Sequence, residues 1–426
     1  MTGAPFHRAQ RFDVAAIVAE PELLVGRQPR LEGTAAVLDG AERAIDRIEA
    51  RRALGVSTRG RFVIAKAAVA DEQRAGGVAH GVVDVSISID SAGSEAHISV
   101  VSSSRERLRV GITGLDSFVG LHLAERLLDS AEPPEVIGLD LRVPRRLEDR
   151  VRFHRIDLTD PGADAALAEA FEKERCDTVL HAAFFAVRPS DSAYAHEVEV
   201  IGSLHVMNAA AAAGVRRLVV MSSAEVYGPS PTNPGYLRES HPLRARAESH
   251  GASDRAEVDR LLGLFAARHP RIAVTVLRPC WVVGPTIKTR AVRHFEEASV
   301  TTLMGYDPLV QFLHEADLLR AVELALRSDH SAVYNLAGSE PLPLSTLLRL
   351  ANKSRRALPH PLFYRLGHLR ELWSAGDPPA GFYDYLRFSW LVDTTRATED
   401  LGFVPEYTTK EAWLSLVVDR RMRSYR

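Results

Sequence analysis

Short apolar runs alternate with longer amphipathic segments from Leu108 to the middle of the chain. Apolar runs predict buried strands, and apolar residues that recur every three or four positions predict helices. Strands are predicted at Leu108–Ile112, Glu135–Leu139, Thr178–Ala182, Arg217–Met221 and Ile272–Leu277. Helices are predicted at Leu121–Leu128, Ala163–Lys173, Val198–Ala213 and Ala252–Ala267. Repeated β-α units need crossover connections, so the pattern predicts an α/β fold with a doubly wound parallel sheet covered on both faces.

Residues 1–105 follow a different pattern, which predicts a small α+β extension. A helix is expected over Ala35–Leu54, and strands are expected at Arg61–Ala67, Val82–Ile89 and Glu95–Val101. The last two strands are joined by the turn-rich Asp90–Ser94, which predicts a hairpin. Because the extension carries no chemical motif, we expect an accessory or oligomerisation module, with a ligand-sensing module as the alternative.

Composition narrows the classes of function. Hydrophobic residues are 46% and charged residues 25% of the 426 residues, which is typical of a globular protein. The formal net charge of −2 gives no bulk attraction for nucleic acid or an anionic membrane. The two cysteines, Cys176 and Cys280, exclude a disulfide framework and a cysteine-rich metal site. We therefore expect no metal site. No uncharged apolar stretch is long enough to span a membrane, so we also expect a cytoplasmic protein.

Candidate chemistry begins at a glycine-containing turn between the first strand and the first helix of the β-α series. Gly111, Gly114 and Gly120 lie around Ser117 and Phe118 in the segment GITGLDSFVG. Glycine lets the backbone turn tightly against a pyrophosphate, and the free N–H groups at the start of the following helix favour negative charge. The turn in this context predicts a dinucleotide-binding site.

The next strand ends at Asp140, which bears on the choice of dinucleotide. A carboxylate at this position accepts hydrogen bonds from the ribose hydroxyls of NAD and would repel the additional phosphate of NADP. Arg142, Arg145 and Arg146 follow and favour the opposite choice, but we expect NAD, with NADP as the less favoured cofactor.

Two later segments are expected to complete the cofactor site. Asp157 is predicted to lie beside the adenine. The segment His181-Ala182-Ala183 closes a strand with small residues, which leave room for the cofactor.

The turn Thr113–Gly120 resembles the TGxxGFxG turn of the extended short-chain dehydrogenases/reductases, which form the NAD-dependent epimerase/dehydratase family. Other segments that resemble this family, in its order, are Asp157, His181-Ala182-Ala183, Ser222–Gly228, Leu277-Arg278-Pro279, Gly284-Pro285, Phe312–Asp317, Tyr334–Gly338 and Asp393–Arg396. The resemblance covers about Leu108 to Trp413 and is closest to a bacterial subgroup described as UDP-glucose 4-epimerase-like. It implies a Rossmann core over about residues 106–285 and a smaller C-terminal substrate lobe mostly over 286–426.

The resemblance also implies hydride transfer between a nicotinamide and a sugar or alcohol carbon. In the family a Ser or Thr hydroxyl orients the substrate oxygen, the Tyr of a YxxxK motif transfers the proton, and the Lys holds the nicotinamide ribose. Ser223 matches the family serine. The YxxxK motif is missing, because no Tyr lies between Tyr236 and Tyr306 and no Lys lies between Lys173 and Lys288.

Three hypotheses follow for the missing motif. In the first, the enzyme uses a substituted acid/base. By position His250 aligns with the Tyr and Asp254 with the Lys, one helical turn apart, where a carboxylate favours the proton-donating imidazolium. Glu225, just past Ser223, is the other candidate, since an acidic residue near this position is the general acid in some dehydratases of the family. In the second hypothesis the chain is a catalytically silent NAD-binding sensor or scaffold, and in the third water or a substrate group supplies the proton.

The resemblance implies a nucleotide sugar or related alcohol as the substrate. Arg278 and Arg396 are candidates to hold its diphosphate through bidentate guanidinium contacts. Aromatic residues are dense in the C-terminal third and are compatible either with the floor of a nucleobase site or with core packing. The family also implies a homodimer through the helices near Val198–Ala213 and Ala252–Ala267.

Overall fold

The computed structural model describes residues 11–13, 61–70, 80–89, 95–103, 108–184, 192–245, 250–359 and 380–424. The chain divides into two compact units, Met1–Arg107 and Leu108–Arg426. The helix predicted over Ala35–Leu54 and the turn predicted at Asp90–Ser94 lie outside the described residues. Within the described ranges, no helix is both long and apolar enough to cross a membrane.

The first unit contains a four-stranded sheet in the order β1-β4-β3-β2. Its strands are β1 (Arg11–Asp13), β2 (Arg61–Ala70), β3 (His80–Ile89) and β4 (Glu95–Ser103). The last three contain the strands predicted at Arg61–Ala67, Val82–Ile89 and Glu95–Val101. β3 and β4 pair antiparallel, as the two arms of a hairpin must, and β1 adds an antiparallel edge that the sequence did not predict.

The second unit alternates strands and helices. Its strands are β5 (Arg109–Thr113), β6 (Glu135–Asp140), β7 (Arg152–Arg155), β8 (Thr178–His181), β9 (Arg217–Met221), β10 (Ala273–Pro279), β11 (Trp281–Val283), β12 (Ser299–Leu303), β13 (Leu309–Val310), β14 (Phe312–His314), β15 (Ala332–Leu336), β16 (Leu342–Pro343) and β17 (Ser354–Leu358). Its helices are α1 (Phe118–Leu128), α2 (Ala163–Glu174), α3 (Ser192–His196), α4 (Gly202–Ala212), α5 (His250–Arg268), α6 (Arg290–Glu296), α7 (Glu315–Ala325), α8 (Leu344–Leu350), α9 (Ala380–Asp384), α10 (Thr395–Leu401) and α11 (Thr409–Ser424). A π-helical turn at Glu197–Ile201 joins α3 to α4, where one regular helix was predicted.

Seven of these strands form one parallel sheet in the order β15-β10-β9-β8-β5-β6-β7. The predicted doubly wound Rossmann fold is therefore confirmed. The strand order changes direction at β5, which pairs with β6 on one side and β8 on the other. In open parallel sheets of this kind, ligands bind beyond the carboxyl ends of the strands at such a switch point.

Alternation along the strands builds a hydrophobic layer on each face of the sheet. In β9, Val219 belongs to one cluster of buried residues, whereas its neighbours Leu218 and Val220 belong to the other. Successive side chains of a strand point to opposite faces, so two layers of helices bury both. Burial on both faces explains why these strands read as continuous apolar runs.

The smaller lobe packs around an aromatic cluster. Trp281 stacks on Phe382 with ring centroids 5.4 Å apart, and Phe312 stacks on Trp413 at 5.5 Å. All four side chains are buried, so much of the aromatic density serves core packing. The Rossmann core also extends past the predicted boundary near residue 285, because β15 returns from the later part of the chain to form the edge of the main sheet.

Candidate active site

Two adjoining depressions lie beyond the carboxyl ends of the central strands. The outer groove, of about 710 Å³, lies between the turn after β5, Asp140 at the end of β6, and Lys288. The inner cleft, of about 170 Å³, lies between Ser223 after β9 and Arg255 of α5. Ser117, Phe118 and Phe184 line both depressions, so the two are continuous.

The glycine turn fits the outer groove closely. Gly114 has a φ of +77°, and a Cβ added there would lie 2.5 Å from the backbone nitrogen of Ala183. A Cβ on Gly120 would lie 2.2 Å from the carbonyl oxygen of Gly114. Gly111 differs from the prediction, because a Cβ added there would lie 3.2 Å from the Phe171 ring of α2. It permits strand–helix packing and does not line the groove.

Ser117 occupies the position where the family turn has its middle glycine. Its Oγ accepts a hydrogen bond from the N–H of Gly120 at 3.0 Å, and it is the N-cap of α1. Phe118 begins the helix and lies at the junction of groove and cleft. The serine therefore satisfies one N–H at the start of the helix and leaves fewer for a ligand.

Two predicted carboxylates line the outer groove. Asp140 accepts hydrogen bonds from the backbone N–H of Asp116 at 2.9 Å and of Leu141 at 2.6 Å, so its carboxylate is fixed in direction. Burial raises the pKa of Asp140, although these two hydrogen bonds oppose the shift. Asp157 Oδ1 accepts from both the N–H and the hydroxyl of Thr159, which holds it in the floor of the groove.

His181 lies behind the site. The Ser203 hydroxyl donates its proton to the backbone carbonyl oxygen of Glu199, which can only accept. Ser203 Oγ therefore accepts the hydrogen bond from His181 Nε2 at 2.9 Å. His181 Nδ1 then accepts from the Thr113 hydroxyl at 2.7 Å. Burial lowers the pKa of His181 to about 3, which keeps it neutral.

Within the segment His181-Ala182-Ala183, only the two alanines line the depressions. Ala182 lines the inner cleft and Ala183 lines the outer groove, whereas His181 joins β5, β8 and α4 through hydrogen bonds.

The inner cleft brings together the two predicted residues after β9. Ser223 is mostly buried and lies 3.4 Å from Glu225 Oε2 through its hydroxyl. Trp281 Nε1 donates to Glu225 Oε1 at 3.0 Å, and Tyr385 donates through its hydroxyl to the Glu225 backbone oxygen at 2.7 Å. The cleft is lined by all four residues, Ser223, Glu225, Trp281 and Tyr385. Hydrogen bonds therefore fix Glu225 both at its carboxylate and at its backbone oxygen.

Helix α5 meets the cleft with a face other than the predicted one. Gly251 and Arg255, one helical turn apart, line the cleft. Asp254 lies about 100° further round the helix and faces α3, where its Oδ1 is 3.2 Å from Nδ1 of His196. The side chain of His250 lies outside the described residues. The structure thus places no Asp254 carboxylate in the cleft, and the position one turn before Arg255 has no side chain.

The buried carboxylate of Glu199 accompanies Arg255 in the cleft. Its side chain is 1% exposed, it lies in the π-helical turn, and its Oε1 is 3.9 Å from a terminal nitrogen of Arg255. π-Helical turns occur frequently at functional sites. Sequence reasoning did not select Arg255, because packing decides which face of the helix meets the cleft, but its spacing of four residues from Gly251 equals that of Tyr and Lys in YxxxK.

The two arginines predicted to hold a diphosphate have other roles in the structure. Arg278 is buried, donates from Nε to Asp259 at 2.7 Å and from Nη1 to the Tyr227 hydroxyl at 2.8 Å, and does not line the cleft. Arg396 is half-exposed and bonds Asp400 within its own helix. Neither arginine lines the inner cleft or the outer groove, so the structure does not bring either of them to the candidate site.

Two further basic residues reach the site, one from the segment before α6 and one from the first position of that helix. Arg290 lines the inner cleft and Lys288 lines the outer groove. Neither was predicted, because no local motif marks them, and only the folded chain brings this segment over the sheet.

A parallel sheet, a tight glycine turn at its switch point, a helix beginning at that turn and an acid at the end of the next strand together define a Rossmann dinucleotide-binding protein. The residues present fit such a cofactor: Gly114 and Gly120 leave no space for side chains, and Asp140 is held towards the groove.

Comparison with known proteins identifies the family. The sequence model of the NAD dependent epimerase/dehydratase family matches residues 110–337. An uncharacterized protein of Mycobacterium tuberculosis, Rv0501, is 31% identical over 309 residues, which cover 71% of this chain and 81% of that protein. The chain belongs to the NAD-dependent epimerase/dehydratase family.

Other similar proteins have named activities or ligands. The dTDP-4-dehydro-6-deoxy-D-allose reductase of Streptomyces bikiniensis is 25% identical over 318 residues, covering 69% of this chain and 91% of the reductase. The structure of MoeE5 in complex with UDP-glucuronic acid and NAD aligns with a TM-score of 0.56 and 25% identity, over 74% of this chain and 99% of MoeE5. Homologues of this chain therefore act on nucleotide sugars and bind NAD.

Proposed function

We propose that this protein is an NAD-dependent enzyme that epimerises, dehydrates or reduces a nucleotide sugar or a related alcohol, with Glu225 as its acid/base. The observation that supports this proposal most directly is the position of Glu225 beside Ser223 in the cleft that continues from the outer groove. Gly251, which lines the cleft one helical turn before Arg255, has no side chain to donate a proton, so we assign the proton to another group.

We propose NAD as the cofactor in preference to NADP. Both oxygens of Asp140 are oriented by backbone N–H groups, and the carboxylate borders the outer groove, where it can accept from a ribose diol. A 2′-phosphate at this place would meet a like charge. When bound, the nicotinamide supplies the hydride acceptor and donor of the reaction.

The residues of the inner cleft have different roles in proton transfer and in binding the substrate. Glu225 as a carboxylate takes the proton of a substrate hydroxyl, or as an acid returns it, while Ser223 orients the same oxygen. Trp281 fixes the carboxylate through its indole N–H. Arg255, beside Glu199, provides the positive charge at the position of the family lysine, and Arg290 is placed to bind a substrate diphosphate.

The test begins with binding and proceeds to turnover. Titration calorimetry with NAD and NADP should show tighter binding of NAD. The absorbance of reduced nicotinamide and product chromatography are then followed with a panel of UDP- and dTDP-sugars. Glu225→Gln should lower kcat by about 10²- to 10⁴-fold, the usual range for loss of a general acid/base. Glu169→Gln, an exposed residue of α2, is the matched control and should leave kcat unchanged.

The outcomes separate the hypotheses. Failure to bind either dinucleotide would refute the proposal. Tight NAD binding with no turnover on the panel would favour the catalytically silent sensor or scaffold. Turnover that survives both Glu225→Gln and His250→Ala would assign the proton to water or to the substrate.

We also propose that the chain is a cytoplasmic homodimer that associates through α4 and α5. Exposed apolar side chains support this: Leu264 on α5 is 58% exposed, and Ile201, just before α4, is 37% exposed. Light scattering should give twice the monomer mass, and Leu264→Glu should shift the protein to monomer. An unchanged mass for that variant would remove α5 from the interface.

A further inference from the structure

A single segment borders both the outer groove and the inner cleft. We refer to Gly284–Thr289, the residues between β11 and α6, as the strap. Thr286 and Lys288 line the outer groove, whereas Ile287 and Thr289 line the inner cleft. This alternation places the strap at the junction of the two depressions.

A buried carboxylate holds the strap in place. Glu315, the first residue of α7, is 7% exposed. Its oxygens accept from the backbone N–H and hydroxyl of Thr286, with the hydroxyl bond at 2.8 Å, and from the N–H of Ile287 at 2.7 Å. Hydrogen bonds to an ionised group are roughly twice as strong as neutral ones, so Lys288 projects from a fixed backbone.

The charges of the outer groove are unbalanced. Asp116, Asp140 and Asp157 contribute carboxylates to its lining. Lys288 is the one Lys or Arg among the described residues that line it, and no ion pair of its exposed ammonium is found within the described ranges. A diphosphate between these walls would face three acids and one ammonium.

The glycine turn cannot compensate for these acids alone. The Oγ of Ser117 already takes the N–H of Gly120, so the start of α1 has fewer donors to offer an anion. An opposing cation is then needed on the other wall, which is where the strap carries Lys288.

We propose that Lys288 binds the diphosphate of a dinucleoside diphosphate from the wall opposite the glycine turn. This inference rests on the proposed dinucleotide site and adds the residue that neutralises the ligand. The substrate diphosphate belongs to the inner cleft, which Lys288 does not line.

Calorimetry on the full chain tests the assignment with NAD, ADP-ribose, adenosine and UDP. Lys288→Gln should weaken NAD and ADP-ribose about 5- to 20-fold, as expected for loss of one screened charge contact. Adenosine and UDP should bind as in the wild type, and Lys288→Arg should restore most of the loss. Lys410→Gln, an exposed residue of α11, is the matched control. Raising the salt concentration should reduce the difference between wild type and Lys288→Gln.

Three results distinguish a failure of the proposed function from a failure of the assignment of Lys288. If the wild type binds neither NAD nor ADP-ribose, the proposed function fails. If the wild type binds both and Lys288→Gln binds them equally well, the proposed function stands and the assignment of Lys288 is overturned. A loss confined to UDP would also overturn it, because Lys288 would then serve the substrate diphosphate.

Discussion

Arg278 and Asp259 form a buried ion pair whose removal gives a sharp test of the structure. The side chains are 6% and 1% exposed, and Arg278 Nε lies 2.7 Å from Asp259 Oδ2. The perturbations are Asp259→Leu, Arg278→Met and the double variant. The sequence alone made Arg278 a candidate for substrate binding, whereas the structure pairs Arg278 of β10 with Asp259 of α5.

The magnitude follows from opposing terms. At this separation the attraction is about 4–6 kcal/mol in an effective dielectric of ~20, and the lost hydration of both ions offsets most of it. Removing one partner leaves a buried charge and costs about 3–5 kcal/mol, whereas removing both costs much less. We expect Asp259→Leu to be the most harmful, because a guanidinium cannot give up its proton.

Arg278→Met should be milder and pH-dependent. Burial already raises the pKa of Asp259, and loss of the neighbouring guanidinium raises it further. A carboxyl group whose pKa is higher folded than unfolded binds its proton more tightly in the folded state. The variant should therefore lose stability as the pH rises from about 4 through the folded-state pKa, and it should be closer to the wild type at pH 5 than at pH 8.

Urea unfolding of the full chain measures these differences. All four tryptophans lie after Arg107, so their fluorescence reports on the second unit. At about 2–4 °C per kcal/mol, a cost of about 3–5 kcal/mol means that Asp259→Leu should also lower the melting temperature by roughly 6–20 °C. Binding of nucleotide sugars should be unchanged in folded Arg278→Met. The reasoning is refuted if Arg278→Met keeps full stability but loses more than about tenfold in affinity for nucleoside diphosphates.

Three further substitutions test the groove and the strap. Gly114→Ala should abolish dinucleotide binding by calorimetry, because its φ of +77° costs a side-chain residue about 1–2 kcal/mol and the added Cβ meets the backbone of Ala183. NAD affinity of the wild type should fall on acidification at a pH above the ordinary Asp range, since burial raises the pKa of Asp140, and Asp140→Asn should abolish this dependence. Glu315→Gln should lower the free energy of unfolding by about 2–3 kcal/mol, because its amide would face the N–H of Ile287.

Each of these three substitutions has a control variant or an outcome that would contradict its prediction. Gly263→Ala, at an exposed helical position with nothing near its Cβ, should be neutral or stabilising, and an equal result for Gly114→Ala would contradict the turn geometry. Glu323→Gln on α7 breaks only a surface ion pair with Arg126 and should cost at most about 1 kcal/mol. Persistence of the acid dependence in Asp140→Asn would assign it to another group.

Helix α5 shows where prediction from sequence stopped. The pattern placed a helix over Ala252–Ala267, close to the observed bounds, because helical periodicity is a local property. Which residues face the cleft depends on the rotation of the helix against the sheet, and one residue turns the face by about 100°. The spacing of His250 and Asp254 was therefore correct for one face of a helix, but Gly251 and Arg255 occupy the face that lines the cleft.

The sequence by itself determined five of the seven strands of the main sheet, the sheet class and the glycine turn with its acid at Asp140, because periodicity and backbone freedom act between neighbouring residues. The tertiary structure decided which charges meet. It turned Arg278 towards Asp259 and brought Lys288 and Arg290 over the sheet from a segment far along the chain. Charge pairing acts through space, and only packing decides which distant side chains come within its range.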